Sequence, residues 1–372
     1  MAKILVIGQT PPPYGGQALM TRRLVEAKFE HVEIIHVRLA FSKNFIEVGK
    51  ASWKKVLQVF SVAMQVWKHR LKNKKLVLYY MPAGPNRVPI VRDLLLLSLI
   101  RPLFSKTIYH FRAAGISEYL GSTSGNFQRL SKFIYGRPEI AIQLSDLNPK
   151  DAAFFNSKKT YYVPNGMEDC AAEYLNDIDS YRNESKQGVI NILFVGVLRE
   201  DKGFTWLLNS LGLLRKKGVV NFQLLVMGEF SSEIYRQEIT GKIEEENLNN
   251  HISFLGVQSG EKKWNYYAIA DFLCFPTFFD CESFGNVLVE AMMFQMPVIG
   301  SMWRGVPEII SNDVGFLVPV KDVNMLAEKI ELLIKDKSLR IQLGQNARKR
   351  YLAKYTLDRF LSRMQNVFQS IQ

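Results

Sequence analysis

A chain of 372 residues is long enough for two average domains, which excludes a single small binding module. With 47% hydrophobic and 22% charged residues and no biased tract, it can bury sizeable cores and is neither disordered nor fibrous. The net charge of +13 is unevenly held: residues 1–187 carry 27 Lys and Arg against 15 Asp and Glu, and residues 51–150 alone carry 16 against 4, so the first lobe attracts an anionic partner.

The opening Met1 to Gly8 runs straight into a strand pattern and lacks the charged, apolar and small-residue regions of a cleaved leader. The nearly uncharged runs 56–67 and 88–103 fall short of the roughly 18 to 20 apolar residues of a spanning helix, so the expected location is cytoplasmic. Short β-branched or aromatic runs at Ile4–Ile7, Glu33–Val37, Leu76–Tyr80, Thr107–Phe111, Ile140–Gln143 and Tyr161–Val163 alternate with helix-like stretches, the pattern of parallel βαβ units. From Ser52 to Lys72 the polar positions Lys54, Gln58, Ser61, Gln65, Lys68 and Lys72 recur every three or four residues and leave an apolar face with Trp53, Val56, Phe60, Ala63 and Trp67. Such a helix either packs on the sheet as an ordinary crossover or lies in a membrane interface, with Arg70, Lys74, Lys75, Arg87, Arg92 and Arg101 extending its basic surface. Nucleic acid is the other anionic candidate, but no recognition motif supports it.

Residues 165–187 crowd Glu168, Asp169, Glu173, Asp177, Asp179 and Glu184 into a poorly periodic segment, which reads as a linker. A second strand series follows at Asn191–Val195, Gln223–Met227, Ile252–Phe254, Phe272–Phe275 and Pro297–Ile299. The expected division is a first Rossmann-like domain over 1–168, a linker over 169–188 and a second such domain over 189–354, followed by a helix-forming basic tail. Cys170, Cys274 and Cys281 have no paired metal-site spacing and read as reduced thiols.

The first βα turn holds Gly8, Gly15 and Gly16 ahead of a helix pattern over 18–27. Glycines there let backbone N–H groups approach a phosphate, or simply make a tight turn. They do not fit G-x-G-x-x-G, and Arg38 ends the second strand where a ribose-binding acid would stand, so a nicotinamide dinucleotide is disfavoured. Neither Gly49-Lys50-Ala51 nor Gly241-Lys242-Ile243 completes a P-loop, and the Asp177/Asp179 pair lies in the linker, a poor place for a metal. The informative segment is Phe275 to Met292, where a strand leads into a loop with Glu282 and Gly285 and a helix then starts near Asn286 and carries Glu290. Carboxylates flanking a helix N-terminus accept hydrogen bonds from sugar hydroxyls while the exposed N–H groups hold a phosphate, which suits a nucleotide sugar.

This segment is similar to the E-x7-E signature of retaining glycosyltransferases of family 4, with Glu282 and Glu290 at the acidic positions and Phe284-Gly285 between them. In order along the chain, Tyr14-Gly15-Gly16 resembles the family's glycine loop, Tyr109-His110-Phe111 its histidine strand, Pro164-Asn165-Gly166 its N-G motif, and Val195 to Gly203 the start of its carboxyl-terminal domain. Gly305-Val306-Pro307-Glu308 and Gly315 to Pro319 resemble later motifs. The resemblance implies a GT-B fold, two facing Rossmann-like doubly wound domains with a final helix, 355–372, crossing back to the first. It also implies metal-independent transfer with retention. The expected reaction runs from a UDP- or GDP-linked sugar to a glycan or glycolipid acceptor of a bacterial surface polysaccharide, and the basic first lobe sets it at the inner face of the cell membrane. Glu282 would bind donor-sugar hydroxyls with the backbone of Ser283, Phe284, Gly285 and Asn286, Glu290 the ribose, Lys202 and Arg199 the diphosphate, and His110 would face the reacting centre. Two departures stand out: Val197 occupies the usual arginine position, so either Arg199 two residues on substitutes or Lys202 and backbone alone hold the diphosphate, and Arg304 replaces a usual glycine, which suggests an extra phosphate or sugar contact. An epimerase of the same fold and a two-lobed binding protein are the alternatives.

Overall fold

The computed structural model describes residues 1–12, 15–39, 53–184 and 188–371, and only the backbone of 53–55 and 183–184. Tyr14 of the glycine loop therefore lies outside the described residues, as do the side chains of Trp53, Lys54, Lys55 and Glu184. In chain order the first elements are β1 (Ala2–Gly8), α1 (Gly16–Glu26), β2 (Val32–Arg38), α2 (Trp53–Lys72), β3 (Leu76–Tyr80), α3 (Arg87–Ile100), β4 (Thr107–Phe111), α4 (Ile116–Gly121), α5 (Gly125–Tyr135), β5 (Ile140–Gln143), α6 (Asp151–Phe154) and β6 (Lys159–Tyr162). They continue with α7 (Ile178–Glu184), β7 (Ile190–Val195), α8 (Phe204–Lys216), β8 (Phe222–Met227), α9 (Glu233–Glu245), β9 (Ile252–Gly256), α10 (Gly260–Ile269), β10 (Phe272–Phe275) and α11 (Asn286–Met293). The last are β11 (Val298–Ser301), α12 (Val306–Ile309), β12 (Gly315–Val318), α13 (Val323–Lys335), α14 (Lys337–Lys354) and α15 (Leu357–Gln369).

Contacts divide the chain into two compact units, residues 1–166 with 357–372, and residues 167–356. Each holds one six-stranded parallel sheet, ordered β2-β1-β3-β4-β5-β6 in the first and β12-β11-β10-β7-β8-β9 in the second. A parallel sheet needs both faces covered, so its central strands read as unbroken apolar runs. In β1, Leu5 and Ile7 face a core with α2 (Val59, Val62, Val66) and α3 (Leu94, Leu97). Ile4 and Val6 point the other way, onto Met20 and Leu24 of α1 and Phe360, Met364, Val367 and Phe368 of α15. The second sheet packs Phe194, Val226 and Cys274 against Leu211 of α8, Ile239 of α9 and Ile330 of α13. Both units are therefore doubly wound, and eleven of the twelve strands fall on the runs expected from sequence. The twelfth, β12, was read only as a motif.

The acidic segment expected as a linker belongs to the second unit instead. Its Leu175–Asp177 turn and α7 dock there, through Tyr174 Oη donating to Asn265 (3.0 Å) and Arg182 Nη2 donating to the Phe294 carbonyl (2.7 Å). The anchors Tyr174, Ile178 and Arg182 are too sparse among acids to make a visible period. The tail splits: α14 packs on α11 in the second unit, whereas α15 completes the first.

α2 is a crossover helix with two apolar faces. Val59, Val62, Ala63 and Val66 face the core, and Leu57 (70% exposed), Phe60, Met64 (62%), Trp67 and Leu71 (84%) form a second stripe in solvent. Ala63, expected on the same face as Phe60 and Trp67, is buried, because a crossover must seal the sheet first. The basic surface is also narrower than expected. Arg70 donates to the carbonyls of Leu103 (2.7 Å), Asn73 and Lys74, Arg92 pairs with buried Asp93 (2.7 Å), and Arg101 reaches the Arg137 carbonyl. Lys68, Lys72, Lys74, Lys75 and Arg87 remain exposed. Among the described residues no helix is long and apolar enough to cross a membrane.

Candidate functional site

In the second sheet the strand order reverses between β7 and β10, and in an open parallel sheet ligands gather outside the carboxyl ends of strands at such a point. The two loops that leave those strands carry the residues of interest. After β7, a 3-10 turn over Glu200–Lys202 ends at Gly203, whose φ of +79° is free only to glycine. A Cβ on Gly203 would stand 2.0 Å from the Pro276 carbonyl oxygen, so the glycine lets the β7 and β10 loops touch. They are stitched by the Phe278 N–H donating to the Asp201 carbonyl (2.8 Å).

Across this seam Lys202 Nζ donates to Glu282 Oε2 at 2.7 Å, with both side chains largely buried. Lys202 also lies 4.3 Å from the centre of the Phe279 ring, and the Arg199 guanidinium 4.8 Å from it. Arg199 holds Asp201 in a two-pronged pair (2.6 and 2.7 Å), while burial raises the Asp201 pKa against the pull of Arg199. The Phe279 carbonyl accepts from the Glu282 N–H and from Trp303 Nε1, both at 2.9 Å, which fixes the loop from two sides.

The loop ends at Gly285 (φ +86°), the N-cap of α11, which has no side chain to close the first turn. Ser283 and Phe284 are buried, and Phe284 packs edge-on against Tyr355 at 5.8 Å. Phe284 therefore anchors the loop, and what it can offer a ligand is backbone. Asn286 opens the helix. One turn further on, Glu290 accepts from Lys263 Nζ (2.5 Å) and from the Tyr267 hydroxyl (2.6 Å). Burial and the adjacent carboxylate push the Tyr267 phenol far above its ordinary range, so it stays a donor. A carboxylate with one donor on each oxygen keeps lone pairs for further hydroxyls. Lys263, Tyr267, Phe279 and Trp303 were not singled out from sequence. The only trace is the i, i+4 spacing of Lys263 and Tyr267 on α10.

The first unit places the remaining candidates. Gly15 is the N-cap of α1 and Gly16 its first residue, and the Gly15 carbonyl accepts from Leu19 N–H (3.0 Å). His110, on β4, is fully buried and hydrogen-bonded through Nδ1 to the Tyr79 hydroxyl. Burial, and then the charge of Arg112, drive its pKa well below the ordinary value, so the imidazole is neutral. Arg112 in turn donates to Asn165 of the N-G motif and stacks over Phe360 of α15 (5.5 Å). Of the sequence candidates, then, Arg199, Lys202, Glu282, Ser283, Phe284, Gly285, Asn286 and Glu290 converge in one unit, and His110, Gly15 and Gly16 lie in the other. Asp177 and Asp179 sit on the Leu175–Asp177 turn and on α7, and among the described residues no group of three or more His, Cys, Asp and Glu is arranged for a metal ion.

A doubly wound pair of parallel sheets with charged loops at the second switch point is the GT-B architecture, and the comparisons agree. The profile of the family "Glycosyl transferases group 1" matches residues 177–350. The chain is 32% identical over 167 residues to the capsular polysaccharide biosynthesis glycosyltransferase CapM of Staphylococcus aureus, a match covering 44% of this chain and 41% of that protein. Over 161 residues it is 30% identical to the GalNAc-alpha-(1->4)-GalNAc-alpha-(1->3)-diNAcBac-PP-undecaprenol alpha-1,4-N-acetyl-D-galactosaminyltransferase of Campylobacter jejuni, covering 43% and 42%. These matches thus span less than half of each relative. Anabaena HepE, solved in complex with UDP and glucose, superposes over all of both chains with a TM-score of 0.74 at 17% identity, a likeness of fold.

Proposed function

We propose that this chain is a retaining, metal-independent glycosyltransferase that moves a sugar from a UDP- or GDP-linked donor to a hydroxyl of a lipid-linked glycan in bacterial surface polysaccharide synthesis. The observation that carries this reading is the Lys202–Glu282 pair at the switch point, with Glu290 clamped one turn inside α11. The named relatives and the UDP-bound structural neighbour support it. In this reading Lys202 and Arg199 bind the diphosphate, Glu282 and the amides of residues 283–286 bind the donor sugar, and Glu290 binds the ribose. His110 is a neutral hydrogen-bonding group facing the reacting centre, and the backbone N–H groups at Gly15-Gly16 approach a donor phosphate.

In the transfer the bond from the anomeric carbon to the phosphate oxygen breaks and its electrons stay on the diphosphate. The acceptor oxygen bonds to the same face of that carbon, and its proton passes to the departing phosphate, so configuration is retained. Fixed cations aimed where negative charge grows do the work that a metal would otherwise do. Because the acceptor is held at a bilayer, the enzyme works from the cytoplasm at the anionic inner face of the membrane, through the basic first unit.

The test is to incubate the full chain with UDP- and GDP-sugars and a prenyl-diphosphate oligosaccharide, then read the product's anomeric configuration by NMR. A product with the donor's configuration, formed equally in EDTA, is expected. An inverted product or loss of transfer in EDTA would refute the retaining, metal-free part. Donor epimerised without any acceptor would establish the epimerase reading instead.

A further inference from the structure

Six non-glycine residues adopt positive φ among the described residues, and three of them are His31, Asn156 and Asn247, types that tolerate the left-handed region. Gln295, Lys321 and Arg304 are not such types, and Arg304 has a φ of +47°. It stands in the loop after β11, beside the switch point, where a glycine would carry no strain. Strained side chains of this kind persist where their surroundings hold them, and they gather at ligand sites.

The surroundings of Arg304 are specific. Trp303, whose ring lies 5.2 Å under the Arg304 guanidinium, is the residue that grips the Phe279 carbonyl. The ring of Phe279 in turn carries Lys202 and Arg199. Lys202, Arg304 and Arg199 each pull the Cys281 thiol pKa down, although burial and then Asp280 keep it up at about 11. Lys202 and Arg199 each commit hydrogen bonds to a carboxylate, Glu282 and Asp201, so a doubly charged ligand on this rim gains from a further cation.

We propose that Arg304 is a third cation of the diphosphate site and binds a phosphoryl group of the nucleoside diphosphate, an inference that rests on the reading of the second unit as the nucleotide-sugar site. It makes Arg304 a binding residue that replaces backbone freedom with charge, and it explains why the chain tolerates arginine at a left-handed position.

The experiment is calorimetric titration of the full chain and of Arg304→Gly and Arg304→Lys with UDP, GDP, UMP and GMP. Glycine relaxes the backbone, so the Arg304→Gly protein should melt no lower than wild type. It should bind the preferred diphosphate about 10- to 100-fold more weakly, the value of one charge-assisted hydrogen bond, and the matching monophosphate with less change. Arg304→Lys should recover part of the loss. Unchanged diphosphate affinity in Arg304→Gly overturns the proposal, as does an equal loss for mono- and diphosphate. If UDP binding is unchanged and only UDP-glucuronate weakens relative to UDP-glucose, the ligand of Arg304 is a sugar carboxylate and the proposal fails. Failure of wild type to bind either UDP or GDP removes the donor-site reading itself, and is seen before any variant is compared.

Discussion

At the scale of single residues, the second-unit site is a set of charges whose places are set by backbone. Removing one preorganised electrostatic partner costs roughly 10² to 10³ in rate, so Glu282→Ala and Lys202→Ala should each lose about that much turnover while melting near wild type. Full activity in Glu282→Ala would end the assignment. Glu290→Ala should chiefly weaken nucleotide binding, and Tyr267→Phe should do so to a smaller degree, because it removes one donor from Glu290. His110 makes a different prediction. Its folded pKa is depressed, so the unfolded chain takes up a proton that the folded chain refuses. Stability is then complete above the unfolded value of about 6.5 and falls as pH drops towards the folded one. In melts at pH 7.5 and pH 5, His110→Gln should lose less between the two than wild type. An equal or larger loss in the variant would mean that His110 is not held neutral.

At the scale of elements, α2 shows what a helical period can and cannot reveal. Its existence and ends were legible, but a 20-residue helix bearing apolar residues on two faces reads as one broad stripe, and only packing separates the inward Val59, Val62 and Val66 from the outward Leu57, Met64 and Leu71. The outward stripe beside Lys68, Lys72, Lys74 and Lys75 is the surface on which the membrane reading now rests. Each lysine near an anionic bilayer contributes about 1 kcal/mol, so reversing all four to glutamate removes on the order of 4 kcal/mol, roughly a thousandfold in affinity. The charge-reversed protein should no longer sediment with anionic liposomes, with nucleotide binding unchanged, and wild type should release as salt rises. Wild type that ignores such liposomes at low salt would sink the membrane reading. The loops of the candidate site were legible for another reason. Glu282, Gly285 and Glu290 lie close in sequence, whereas Lys263 and Tyr267 reach Glu290 from a helix 23 or more residues earlier, a relation that only the fold creates.

At the scale of the whole molecule, the alternation of strands and helices was enough to expose two doubly wound units, because buried parallel strands must be continuous apolar runs. The border between the units was not, because α7 docks through three scattered side chains. The fate of the tail has an energetic edge. Phe360, Met364, Val367 and Phe368 are all buried against the first sheet, and burying each contributes about 1.5–3 kcal/mol. Their sum rivals the whole net stability of a domain, about 5–15 kcal/mol. A chain truncated at Thr356 should therefore lose the melting transition of the first unit and keep that of the second, as scanning calorimetry would resolve. Two transitions at wild-type temperatures would contradict this.

The same contact fixes an order of events during synthesis. The first unit is begun first, but the residues of α15 that seal one face of its sheet are made only after the whole second unit. For some 190 residues of translation, Ile4, Val6, Tyr79 and Ile142 must wait with one flank uncovered. At about 5–20 residues per second, that is a wait of roughly 10 to 40 seconds, long enough for a holdase chaperone to matter. Until α15 docks, the nascent chain carries an uncovered apolar face open to aggregation, and that docking is the step that closes it.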